Sequence, residues 1–98
     1  MFIKIHDAYR KIVALADSDL IGKTFSEDIK EITINENFFK GEEKPRQEII
    51  KILQDMDKED ATFNIVGKES IQAALEAGII QEHGIMNIQD IPVALVLM

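Results

Sequence analysis

Residues 61 to 80, ATFNIVGKESIQAALEAGII, change from a strand pattern to a helix pattern across a single glycine. Thr62 to Val66 is β-branched and apolar, as a mostly buried strand requires. Gly67 then turns the chain, and Ile71, Ala74, Leu75 and Gly78 recur at helical spacing with Ile79 and Ile80 beyond. Gly78 stands where a left-handed C-cap belongs, so the helix should end near Ala77. A strand that feeds directly into an amphipathic helix requires a sheet with at least one helix packed on it.

The flanking sequence extends that pattern. Phe2 to Ile5 alternates, and Lys11 to Ala16 is a second apolar run, so residues 2 to 16 read as a β-hairpin with a short polar connection. Asp17 to Phe25, DSDLIGKTF, reads as a tight structured loop with Gly22 at positive φ and Phe25 as its anchor. Residues 29 to 34 form a third strand with Ile32 and Ile34 inward and Thr33 outward, and Asn35 to Lys44 reads as a loop in which Phe38 and Phe39 plug a core edge. Pro45 opens a helix whose buried stripe is Ile49, Ile52, Leu53 and Met56. Gln81 to Gly84 is a polar turn, and Ile85 to Ile88 and Val93 to Leu97 are two short strands separated around Pro92.

The predicted order is β-β-β-α-β-α-β-β: an α+β (mixed α/β) fold in one domain spanning residues 1 to 98, with two helices on one face of a mixed sheet. Residues 61 to 66 lie between the helices and are the expected central strand. A right-handed crossover through the Pro45 helix would set them parallel to the third strand.

Composition narrows the chemistry. The chain has no cysteine, which removes disulfides, thiolate metal sites and thiol nucleophiles. Its apolar runs fall far short of the roughly 20 residues of a membrane span, so a cytoplasmic protein without membrane association is expected. The net charge of −7 and pI near 4.7 work against binding a phosphate backbone by charge alone. The imbalance is uneven: after Lys68 come Glu69, Glu76, Glu82 and Asp90 and no lysine or arginine.

Several motifs occur in a recognisable order: DSDLIGKTF at Asp17 to Phe25, FFKG at Phe38 to Gly41, NIVG at Asn64 to Gly67, AALEAGII at Ala73 to Ile80 and IPVALV at Ile91 to Val96. In that order and spacing, over nearly the whole chain, the sequence resembles the archaeal domain of unknown function 424 family. The resemblance implies an archaeal cytosolic protein of this size with a mixed α/β fold, and no activity. Two positions depart from the family pattern. Pro92, Val93, Ala94 and Leu95 stand where relatives commonly have Pro-His-Ala-Gln, and Ala16 stands where many carry a cysteine.

Gly22, Lys23 and Thr24 spell the end of a phosphate-binding loop, but the first glycine of that motif would fall at Asp17, whose carboxylate repels phosphate. They remain candidates for a small-anion or nucleotide site, against a purely structural turn. Asn64, Gly67 and Lys68 form a second anion candidate, because a helix start offers free N–H groups and a favourable dipole. Glu69 there is the acid with which an unliganded helix would satisfy its own dipole. Asp17 and Asp19, with Asp7 and His6 if the hairpin brings its ends together, are metal or acid–base candidates, while aspartates at strand ends are also ordinary turn formers. His83 has only His6 as a possible partner, which argues against zinc.

Phe38 and Phe39 with Lys40, Lys44 and Arg46 combine aromatics and positive charge as single-strand nucleic-acid binders do, although Glu36, Glu42 and Glu43 offset the charge. Val93 to Met98 is continuously apolar. At a sheet edge it is a place for a partner strand or a second copy, and at the centre it is core.

The expectation is a small non-enzymatic binding or adaptor domain with no cofactor, working by protein–protein contact or as a homo-oligomer, in a translation-linked or ribonucleoprotein assembly. RNA would be met only through that assembly or at the small Phe38, Phe39, Arg46 patch. The alternative is a divalent-cation-dependent enzyme or small-anion binder that uses the 17–24 loop.

Overall fold

The central strand is the one the sequence singles out. In this computed structural model, which describes residues 1–97, Phe2–His6 (β1), Ile12–Ala16 (β2), Glu42–Glu43 (β5), Thr62–Val66 (β6), Met86–Ile88 (β7) and Ile91–Val96 (β8) form one mixed sheet. Its order is β5-β1-β2-β6-β8-β7, with β2 and β6 parallel and every other pair antiparallel. Arg46–Lys58 (α2) and Lys68–Ala77 (α3) cover one face. The hairpin Thr24–Glu27 (β3) and Lys30–Thr33 (β4), a 3-10 turn at Ser18–Leu20 and the short helix Glu36–Phe39 (α1) cover part of the other.

Two apolar layers hold these parts together. Val13, Leu15, Phe63 and Ile65 face the helices and meet Ile49, Leu53, Ile71 and Ala74, while Ala14, Ala16, Val66 and Val93 face Leu20, Ile34 and Phe39. The middle strands are therefore apolar on both faces, which is why IVALA at β2 reads as a continuous run rather than an alternation. That also corrects the predicted crossover. The third strand, β4, is apolar on one side only, so it pairs with β3 in a separate ribbon, and β6 runs parallel to β2 instead.

Other predicted boundaries shift for local reasons. The 17–25 loop contains a 3-10 turn and the first residues of β3, and the 35–44 loop contains α1, whose start is capped by Asn35 Oδ1 accepting from the Asn37 N–H at 2.8 Å. Two residues of that loop form β5. Pro92 lies inside β8 rather than between strands. Its missing N–H is not needed: its carbonyl accepts from the Gly67 N–H at 2.9 Å, and the Gly67 carbonyl accepts from the Ile71 N–H in the first turn of α3. Gln89 and Asp90, both at positive φ, make the two-residue turn between β7 and β8. Met98, the end of the predicted apolar tail, lies outside the described residues. Among the described residues, no helix is long and apolar enough to cross a membrane.

Phe63 is fully buried between the middle of the sheet and the helices, whereas Ile29 at the β3–β4 tip is fully exposed. Phe63→Ala should lower unfolding free energy by about 3–5 kcal/mol in urea titration, and Ile29→Ala should leave it within about 0.5 kcal/mol. Equal effects at the two positions would contradict this packing.

Candidate functional site

The carboxyl ends of the parallel pair β2 and β6 lie side by side, with Ala16 opposite Val66. Asp17 leaves β2 there, donating its N–H to the Val66 carbonyl at 3.1 Å. Its carboxylate enters the start of α3. Oδ2 accepts from the Glu69 N–H at 3.1 Å, and Oδ1 accepts from the Ser70 N–H at 2.8 Å and the Ser70 hydroxyl at 2.7 Å. Asp17 is 8% exposed and Ser70 is fully buried. The free N–H groups and dipole of the helix start thus bind an anion, and the anion is the chain's own carboxylate.

Gly67 makes that contact possible. Its φ is +109°, and a Cβ there would lie 2.3 Å from the Asp17 Cγ and 2.6 Å from both carboxylate oxygens. The chain can have a side chain at 67 or a carboxylate at the helix start, but not both. The sequence alone suggests an anion-favouring turn here but does not show that Asp17 occupies it. The available signal was Ser70, a hydroxyl in the first helical turn, together with an aspartate at the end of the neighbouring strand.

Among the predicted anion residues, Gly67 and Lys68 stay together at the helix start, but Asn64 does not. It alternates with Phe63 and Ile65 onto the opposite face of the sheet, between Ala14 and Leu95 in register. In the 17–24 loop, the Gly22 N–H donates to the Ile34 carbonyl at 2.7 Å and the Lys23 N–H to the Leu20 carbonyl at 3.1 Å. Thr24 Oγ1 lies 3.0 Å from Thr33 Oγ1. The Gly22 and Lys23 amides that would cradle a phosphate therefore close the loop onto itself.

Asp7 is not near Asp17. The register sets Phe2 opposite Ala16 and His6 opposite Ile12, so Asp7 lies at the other end of the sheet, six residues along the strand direction or roughly 20 Å away. There it accepts from Lys11 Nζ at 3.1 Å, and this hydrogen bond, followed by the carboxylate's charge, raises the lysine pKa above its ordinary value. Among the described residues, no three carboxylates or imidazoles converge as a metal site would require.

The aromatic and basic cluster is also divided. Phe39 is buried in the core, and Phe38 stacks on His6 with ring centroids 4.7 Å apart. The His6 Nε2 lies 2.9 Å from the Phe38 carbonyl oxygen. Lys40 pairs with Glu36, Lys44 with Glu42, and Arg46 with Glu76 across to α3 at 3.3 Å. Lys40, Lys44 and Arg46 thus each have a carboxylate partner, and the Phe38 ring is already stacked.

The two edges of the sheet differ. At one, β5 covers Phe2 and Ile3 of β1 and presents Glu42 and Glu43, flanked by Lys4 and Lys44. At the other, β7 pairs only with Ile91, Pro92 and Val93 before the chain bends away through a 3-10 turn at Glu82–Gly84. Backbone direction along β8 follows from the Gly67 to Pro92 hydrogen bond: the even residues 92, 94 and 96 face β6, and Val93 and Leu95 face outward. Met86 satisfies the outward side of Val93. Leu95 has no backbone partner on that side among the described residues, and its side chain is 56% exposed. A cleft of about 270 Å³ lies beside it, lined by Ile79, Ile80, His83, Gly84, Val96 and Leu97 among others. A second groove of about 420 Å³ runs between α3 and β7, with Ile71, Leu75 and Pro92 in its lining and Lys68 and Glu82 among its polar residues.

Asp17→Ala should strip the helix start of its acceptor and leave the Ser70 hydroxyl and two N–H groups unpaired. A loss of about 3 kcal/mol or more is expected by chemical denaturation. Gly67→Ala should cost a similar amount, and the double variant Asp17→Ala with Gly67→Ala should be less unstable than the sum of the two, because removing the carboxylate makes room for the methyl. Strict additivity would show that the two residues do not share one contact.

Comparison with known proteins gives a fold match and a family. The crystal structure of an uncharacterised conserved protein from Methanopyrus kandleri is similar at a TM-score of 0.84 and 20% identity, covering 99% of this chain and 92% of that one. At that identity the likeness concerns the fold. No curated protein matches. Residues 5–98 match the family described as protein of unknown function (DUF424), and the chain belongs to that family.

Proposed function

We propose that this is a small archaeal, cytosolic, non-enzymatic binding domain that acts by protein–protein contact, and that its contact is the open end of β8. The observation that carries the reading is the outward-facing peptide group of Leu95 on an apolar strand end. Natural sheets usually protect such edges with charge, proline, short strands or a covering element. The β1 edge has these devices in Glu42, Glu43, Lys4 and Lys44, whereas residues 94–97, at and just beyond the end of β8, carry no charge. An exposed strand end of this kind suits strand addition, in which main-chain hydrogen bonds supply affinity and side-chain pockets supply selectivity. The archaeal setting draws on the Methanopyrus neighbour.

The enzyme or small-anion alternative has weaker support, because the Gly22 and Lys23 amides bond to carbonyls of the chain and Asp17 is committed to α3. A translation-linked or ribonucleoprotein assembly remains the proposed setting, with RNA contact through that assembly.

Tagged protein incubated in an archaeal lysate, with and without ribonuclease, should retain the same partner in both samples and lose it on Leu95→Pro. Recovery only without ribonuclease would mean association bridged by RNA. A rise in melting temperature with magnesium, manganese or nucleotide would favour the alternative instead, since ligands that bind the folded state stabilise it.

A further inference from the structure

We infer that the groove between α3 and β7 is a docking site for one amphipathic helix of another protein. That helix lies antiparallel to α3, with its amino end beside Glu82 and its carboxyl end beside Lys68. The surface is separate from the end of β8 and does not rest on it.

The groove follows from how the helices are spread over the sheet. α2 and α3 pack on each other, and α3 lies against β6 and β8. β7 extends the sheet past α3, which leaves about 420 Å³ beside the helix. Ile71 and the half-buried Leu75, one helical turn apart, line its wall, and Ile85 and Pro92 line its floor.

The backbone selects the kind of occupant. Peptide groups bounding the groove are already bonded, those of α3 within the helix and those of β8 with the strands on either side. An occupant therefore meets side chains and no main-chain ladder, and must satisfy its own N–H and C=O groups. An α-helix does that, and an apolar stripe at i, i+3 or i+4 and i+7 is how a helix fills such a groove. A second copy of this chain has no helix to offer. The stripes of α2 and α3 are buried in its own core, and α1 has four residues.

Length and charge set the direction. The Gly67 N–H bonds the Pro92 carbonyl, so Pro92 marks the Lys68 end of the groove. Ile85 lies further back along β7, and Glu82 beyond it at the Leu75 end. Lys68 and Leu75 are seven residues apart, or about 10.5 Å along the α3 axis. A free zwitterion such as an amino acid is too short to meet both charges, whereas two turns of helix reach them. Among the described residues, neither Lys68 nor Glu82 has an ion-pair partner. The ammonium suits the negative end of a helix dipole and the carboxylate the positive end.

The test selects phage-displayed 16-residue peptides of unrestricted sequence on the full chain. Counter-selection uses Asn87→Trp, an exposed position whose new ring fills the groove at the Lys68 end. Enriched peptides should carry the helical stripe, become helical on binding and shift the Leu75 and Ile85 methyl signals in NMR. A nitroxide at the peptide's amino end should broaden Leu75 and Ile85, and one at its carboxyl end Lys68 and Asn87. Lys68→Glu combined with Glu82→Lys keeps the net charge and should weaken binding about threefold or more. Leu95→Lys, altered on the opposite face of the sheet, should bind these peptides as the unaltered chain does. No enrichment, enriched sequences without helical periodicity, or equal affinity for Asn87→Trp would overturn the helix site. Loss of binding on Leu95→Lys would move the contact to the β8 end and overturn the groove. Broadening in the reverse order, or indifference to the charge exchange, would overturn the orientation.

Discussion

The fold depends on one carboxylate set into one helix start. Asp17 joins the end of β2 to the first turn of α3, and β2 and α3 are otherwise separated by β6 and by some fifty residues of sequence. With both oxygens accepting charge-assisted hydrogen bonds, the contact fixes the axial position of α3 over the sheet. Along the same helix, Ile71 and Ala74 pack in the core with Phe63 and Ile65. The same contact occupies the carboxyl ends of the parallel strands, the place where open α/β sheets commonly bind their ligands. In this chain that place holds a structural joint.

Several features that suggest chemistry in the sequence are engaged in local packing and hydrogen bonds. Gly22, Lys23 and Thr24 close a turn against β4, Phe39 enters the core, and Phe38 is stacked against His6. Each feature is accounted for by local hydrogen bonding or packing. What packing leaves over is the end of β8, where apolar side chains and a strand peptide group face outward together.

Much of this architecture is readable in the amino-acid sequence, for identifiable reasons. The β6–α3 step and the left-handed cap at Gly78, with φ of +80°, follow from periodicity and one glycine, as does the first hairpin from two apolar runs. Long-range partners are harder. Nothing local in IKEITI says whether it joins the main sheet or pairs with TFSE beside it; the decision rests on the second apolar face that β2 has and β4 lacks. The Gln89–Asp90 turn lacks the usual glycine or asparagine, and although aspartate tolerates positive φ, nothing in the composition marks Gln89 for it. Pro92 reads as a strand break because its compensation, a Gly67 carbonyl taken up by Ile71, lies in another part of the chain. Sequence proximity is a poor guide to site geometry as well: Asn64 and Gly67 fall on different faces, while Asp17 and Ser70 meet across 53 positions.

The two sheet edges are finished in different ways. Both outer strands are short, which by itself limits edge-to-edge association. Their surroundings then diverge. At β5, Gly41 packs so closely on β1 that a Cβ would lie 2.2 Å from the Ile3 carbonyl oxygen, and the lysines and glutamates around it make that edge polar as well as covered. At β7 the chain turns away one residue before it would reach Ala94, and no charged side chain replaces the missing strand along residues 94–97. If both edges were merely finished against aggregation, the same devices would be expected at each. The two edges are thus finished differently: β5 is covered and charged, and the end of β8 is apolar, with an outward strand peptide group beside a cleft.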